Sequence, residues 1–282
     1  MRYLIVSADD LGLTKSVNEG IVRAHKEGIV TSFNLVPSGE AFEDAVGLLK
    51  SIKIEEAGAH LALTETASLS DPAGISTLIA KDGRFPAGRN DFFIKLFRRQ
   101  VDLDQIYAEL NSQLDRVEKT GIRVTNLSGH EHIHMLPQLL SIFVRLAKEH
   151  KIPSIRCLRQ EKLIPPLSLK KIYKSLVVMF FEKEMRRMMD DSVVLYTDNF
   201  AGFLDSGSLK EDILVEMLKS LKEGVTELVC HPGFLGPEVV DRYRFHLDCE
   251  QELFSLTSPR VIKAVKDNKI QLISYRDFLK MK

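Results

Sequence analysis

Short apolar runs alternate with longer amphipathic stretches from one end of the chain to the other. Tyr3–Ala8, Ser32–Val36, Ala57–Leu63, Arg123–Leu127, Ser154–Cys157, Val193–Tyr196, Glu227–Cys230 and Ile270–Ile273 have the length and apolar bias of buried strands. Between them apolar positions return every three or four residues, the spacing of one helix face. Val17, Ile21 and Ala24 form one such set, and Leu103, Ile106, Leu110, Leu114 and Val117 another. Ser141–His150 and Leu209–Leu221 read the same way. Strands alternating with helices predict an α/β fold with a parallel sheet, closed into a barrel or left open. Two regions lack a period: Glu65–Asn90, with Asp71-Pro72, Asp82-Gly83 and Pro86, and residues 231–248. Long loops in compact domains tend to be functional. Neither region has the composition of a linker, so residues 1–282 are read as one domain.

Composition narrows the partners. The 39 basic and 39 acidic residues cancel, which argues against nucleic acid or an anionic membrane, since both select a basic excess. Cys157, Cys230 and Cys249 are odd in number and include no CxxC, as expected of free thiols in a reducing cytoplasm. The apolar start of the chain ends after a few residues at Asp9-Asp10, so it reads as a buried strand and not as a signal peptide. No stretch approaches the roughly 18 apolar residues of a membrane span.

In a parallel α/β sheet chemistry collects at the carboxyl ends of the strands. Asp9 and Asp10 end the first run, His60 lies late in the third, a histidine cluster follows the fourth, and His231 ends the seventh. Each residue alone has a plainer explanation: a helix cap for Asp9 or Asp10 (though Thr14 is better placed), a core histidine for His60, a turn before Pro232 for His231. Together at one rim they suit a divalent metal and hydrolytic chemistry. His25, His150 and His246 are assigned to the surface or to helix ends. In the cluster, His130, His132 and His134 alternate, which in an extended strand puts all three on one face and Glu131 on the other. Histidines four apart in a strand are separated by roughly 13 Å. With metal–nitrogen bonds of about 2.1 Å, at most two of the three can serve one ion unless the chain bends sharply.

Four motifs occur in order: Ser7-Ala8-Asp9-Asp10-Leu11-Gly12, Gly58-Ala59-His60-Leu61-Ala62-Leu63-Thr64, Gly129-His130-Glu131-His132-Ile133-His134-Met135-Leu136-Pro137 and Cys230-His231-Pro232-Gly233-Phe234. The chain resembles the YdjC-like carbohydrate deacetylases, which include chitooligosaccharide and hopanoid-associated branches. That resemblance implies a distorted, TIM-barrel-like (β/α) barrel of mostly parallel strands. It also implies a divalent metal on Asp10, His60 and His130, with Asp9 as general base and His231 as general acid or oxyanion partner. Magnesium is the ion associated with the family, whereas two imidazoles and a carboxylate suit zinc, manganese or cobalt. The expected activity is removal of N-acetyl groups from an amino sugar or oligosaccharide. The alternatives are another metal hydrolase such as a phosphoesterase, for which Arg156, Arg159 and Arg276 are available, and a sugar-binding protein without turnover. His132, His134, Glu131, Arg156 and Asp198 are candidates to touch substrate or to orient ligands. A homodimer is the default assembly. One departure stands out: many members have Asp-Ser before the first histidine of the cluster, whereas this chain has Ser128-Gly129.

Overall fold

The computed structural model describes residues 1–80 and 82–282. Eight strands carry the architecture: β1 (Arg2–Leu11), β2 (Ser32–Leu35), β3 (Glu56–Leu61), β4 (Arg123–Gly129), β5 (Ser154–Ile155), β6 (Asn199–Ala201), β7 (Gly224–Cys230) and β8 (Ile270–Leu272). They are parallel, in the order β5-β4-β3-β2-β1-β7-β6, and β8 pairs with the first residues of β1. The apolar runs become strands because both of their faces are covered. Leu4, Ile5, Val6 and Ala8 of β1 are fully buried, and helices such as Leu103–Glu118 lay Ile106, Leu110, Leu114 and Val117 on the outside of the sheet.

The sheet curls into a half-barrel. Its edge strands approach through one segment: Leu195 bridges to Ser154, and four residues later Asn199 pairs with Thr226 of β7. The sixth strand is therefore Asn199–Ala201 and not Val193–Tyr196. Val193 sits exposed with φ 65°, outside the region of regular strands and a genuine outlier for a β-branched residue. The other strands fall where the apolar pattern puts them, shifted by a few residues at their ends.

Because every strand runs the same way, the ends of β1, β3, β4 and β7 meet at one rim. Thr14 caps the helix Lys15–Glu27 by accepting from the Val17 amide, which leaves Asp9 and Asp10 free for other work. The aperiodic Glu65–Asn90 segment is tied down at this rim. Ala67 bridges to Arg84, and the buried Glu109 carboxylate accepts from the amides of Leu69 and Ser70. Among the described residues, no helix is long and apolar enough to cross a membrane.

Candidate metal centre

Asp10, His60 and His130 come together as buried side chains whose donor atoms all lie within 4.8 Å of one another. Asp10 Oδ1 stands 2.8 Å from His130 Nδ1 and 3.5 Å from His60 Nε2. Donors bound about 2.1 Å from one ion are separated by roughly 3.0–3.4 Å at right-angle to tetrahedral geometry, so the set fits a divalent ion. The remaining ring nitrogens are occupied. His60 Nδ1 is 2.7 Å from Ser128 Oγ, and His130 Nε2 is 2.9 Å from Glu65 Oε2. Asp10 Oδ2 faces His246 Nε2 at 3.0 Å. Burial drives the His60 pKa down to about 4 against the pull of Asp9 and Asp10. Burial disfavours charge on His130 too, but Asp10 and Glu65 outweigh it and raise its pKa well above the usual range.

Asp9 is held differently. Its Oδ1 accepts from Asn34 Nδ2 (2.7 Å) and Arg156 Nη2 (2.8 Å), and its Oδ2 accepts from Arg156 Nη1 (2.6 Å). Burial would raise the Asp9 pKa, but Arg156 and His60 hold it at about 2. Arg156 is itself buried and is balanced on its far side by Glu227, which accepts from Nε at 2.9 Å. Asn34 reaches Asp9 through a crowded spot: a Cβ on Gly58 would stand 1.9 Å from Asn34 Oδ1, so glycine is required there. His231 Nε2 is 4.0 Å from Asp9 Oδ2, and its Nδ1 is 3.7 Å from Glu252 Oε2. Burial lowers the His231 pKa, but Glu252 and the two aspartates raise it beyond that loss. A cavity of about 110 Å³ opens over these groups, with Lys170, Lys174, Phe203 and Phe245 on its outer wall.

The histidine cluster is not a strand. Glu131 (φ 52°) and His132 (φ 56°) are consecutive left-handed residues that open a 3₁₀ turn from His130 to Met135. The sharp bend sends the three imidazoles different ways. His130 enters the metal group, while His132 lines the cavity with its ring 4.9 Å from that of Phe203. His134 packs on Phe143 and accepts from the Gly129 amide at 3.0 Å. Glu131 lines the cavity without touching a donor of the metal group, and its backbone oxygen accepts from Arg89. Arg156 supports Asp9 from behind and lines no part of the cavity. Asp198 lies at the opposite end of the sheet, where it accepts from the Val225 amide at the start of β7. The shift of the sixth strand places Asp198 before that strand and not after it. His246 is the other correction: it is buried beside Asp10 and not on the surface. Sequence reasoning missed Glu65, His246, Glu252, Asn34 and Glu227. Only the last two carried a signal, as polar residues inside apolar runs.

Backbone strain gathers at this rim. Asp10 (φ 67°), Glu65 (φ 64°), Glu131 and His132 are all left-handed without being glycine. Such conformations persist where the surroundings over-determine them and cluster at functional sites.

The sequence profile of the YdjC-like protein family matches residues 3–267. The chain belongs to the YdjC-like family. Within it, the carbohydrate deacetylase of Thermoanaerobacter pseudethanolicus is 30% identical over 98% of this chain and 98% of its own length. That of Brevibacillus brevis is 31% identical over 97% and 98%, and that of Vibrio parahaemolyticus 28% identical over 96% and 94%. A putative cellobiose-phosphate cleavage protein from Enterococcus faecalis V583 superposes with a TM-score of 0.81 over 98% of both chains at 24% identity. That likeness shows that the curled half-barrel is shared. In this YdjC-like chain the Asp/His/His group is the candidate site for a divalent metal.

Proposed function

We propose that the chain is a metal-dependent carbohydrate deacetylase that hydrolyses N-acetyl groups on an amino sugar or N-acetylated oligosaccharide. The observation that carries this reading is the placement of a metal-fitting triad beside an arginine-paired carboxylate, Asp9, and a histidine, His231, that faces Glu252. Its support from kinship is that the full-length relatives are named carbohydrate deacetylases.

Asp10, His60 and His130 would hold the ion. A carboxylate with a pKa of about 2 is a weak base, so the water it deprotonates must be acidified, and a bound divalent cation supplies that acidity together with polarisation of the amide carbonyl. Asp9 takes the proton of the attacking water, with Arg156 and Asn34 fixing which oxygen faces it. Glu252 keeps His231 protonated until the C–N bond breaks. His231 then gives its proton to the departing nitrogen, leaving acetate and a free amine. Phe203 and Phe245 form the apolar wall against which a sugar face or acetyl methyl packs.

The phosphoesterase alternative would rest on Arg89, Lys170 and Lys174, which line the cavity, and not on the arginines first considered for it. Arg159 pairs with Glu182, Arg276 pairs with Glu56, and neither lines the cavity. Magnesium, implied by kinship, and zinc, manganese or cobalt, implied by the donors, are told apart by elemental analysis of untagged protein. A cytoplasmic location belongs to this reading, supported by three buried cysteines without disulfides. The exposed stripe Leu169, Tyr173, Leu176 and Phe180 on the helix Leu169–Asp190 is the face for a homodimer, checked by sedimentation of Phe180→Glu. The decisive assay is acetate release from a panel of N-acetylated mono- and oligosaccharides with each metal in turn. No release from any substrate–metal pair would overturn the reading.

A further inference from the structure

We propose that Glu65 is a positioning residue that fixes the ring of His130 for the ion, so that metal affinity depends on the seating of the Glu65–Asn90 loop. This rests on the metal-centre reading above. His130 presents Nδ1 to Asp10 and to the convergence point of the triad, and Nε2 to Glu65 Oε2 at 2.9 Å. A neutral imidazole carries one N–H. If Nδ1 is to offer its lone pair to a cation, the hydrogen must sit on Nε2, and an acceptor there fixes both tautomer and ring angle.

Two other groups could have served. Ser128 lies just before His130 at the end of β4, but its hydroxyl is committed to His60. Glu131 is adjacent to His130 in sequence, yet the left-handed turn carries its side chain away, and its Oε2 is buried without a partner. The carboxylate for His130 therefore comes from the loop.

Glu65 is itself built into place. Its φ of 64° is unusual for a glutamate. The conformation is locked at both ends: its amide donates to the Pro86 oxygen at 2.9 Å, and its carbonyl accepts from Arg84 Nη2 at 2.9 Å. Arg84 is in turn paired with Glu40, which Arg242 also contacts. A strained residue clamped on both backbone sides by the far end of its own loop is what a loop-borne orienting group requires.

The test is divalent-ion titration of chelated, refilled protein, first with zinc and then with magnesium, by calorimetry, on wild type, Glu65→Ala, Glu65→Gln and Arg84→Met. Folding is verified by circular dichroism. Loss of an outer partner of a metal ligand weakens binding about 10–100-fold, and that loss is expected in Glu65→Ala. Glu65→Gln keeps an acceptor oxygen and recovers most of it, while Arg84→Met, remote from the ion, falls between them. Nitrogen-15 spectra of the zinc-loaded protein should show His130 in the Nε2–H form in wild type and a loss of that population in Glu65→Ala. Glu65→Ala with wild-type affinity and tautomer overturns the positioning role. Wild-type affinity in Arg84→Met beside a weakened Glu65→Ala overturns the coupling to the loop. Wild-type protein that binds neither ion overturns the metal-centre reading together with this one.

Discussion

At the end of β1 two adjacent carboxylates meet different counter-charges: Arg156 lies on both oxygens of Asp9, and His130 and His246 lie on either side of Asp10. Asp9→Asn should abolish acetate release while leaving metal stoichiometry unchanged in elemental analysis. It should also lower the melting temperature. Removing one partner of a buried pair costs about 3–5 kcal/mol, and the surviving Glu227 puts this case near the lower end. Ser128→Ala should weaken metal binding about tenfold by freeing the His60 ring, read by calorimetry. If His231 is the general acid of the proposed reaction, its proton sets the alkaline limit of activity. Its pKa is raised, so kcat holds below that value and falls as pH rises through it. Glu252→Gln removes the main raising partner, and the alkaline limb of the kcat profile should move to lower pH. An unmoved limb would exclude His231 as the acid. The positions of Asp9, Asp10, His60, the histidine cluster and His231 at one rim were legible in the sequence, because the strand-end rule needs only an apolar run and the polar residues at its end, while His130 was singled out within the cluster by the family resemblance. Glu65, His246 and Glu252 were not, because each reaches the rim from a loop or helix whose path no local pattern encodes.

Among the elements, the histidine turn and the Glu65–Asn90 loop decide what the strands alone cannot. Alternation of His130, His132 and His134 suggested one face of a strand, but two left-handed residues turn the chain as β4 ends. That turn resolves the spacing problem of the cluster by sending a single imidazole into the candidate metal group. The loop is held by the helix Leu103–Glu118, chiefly through Glu109, which accepts from two loop amides and from Gln113. Glu109→Ala should loosen the loop without unfolding the sheet. Proteolysis between Leu69 and Thr77 should accelerate, and KM should rise more than kcat falls. Equal proteolysis of variant and wild type would show that Glu109 does not anchor the loop. The apolar period marked Leu103–Glu118 as a helix but gave no reason to expect a buried glutamate on it, since a charge on a helix is ordinarily solvated.

For the molecule as a whole, the site makes stability depend on pH in the chelated protein. His60 and His134 have lowered pKa values, about 4 and about 3. Their contribution is present above the ordinary value of 6.5 and is lost as pH falls through the lowered ones. Asp9 adds stability that is complete above 3.8 and disappears toward about 2. Denaturant midpoints should therefore decline steadily from near pH 6.5 downward, and saturating metal should raise them most at the upper end and steepen the decline, since protons compete with the ion for its imidazoles. A midpoint constant from pH 6.5 to 4 would contradict the buried neutral histidines. By itself the sequence determined the parallel α/β architecture and the rim that bears the chemistry, because burial on both faces writes a strand into consecutive residues. The tertiary structure alone decided how far the sheet closes, which way each histidine of the cluster turns, and which distant carboxylates meet the candidate ligands. Those depend on left-handed backbone turns and on contacts between residues far apart in the chain, and neither leaves a periodic trace.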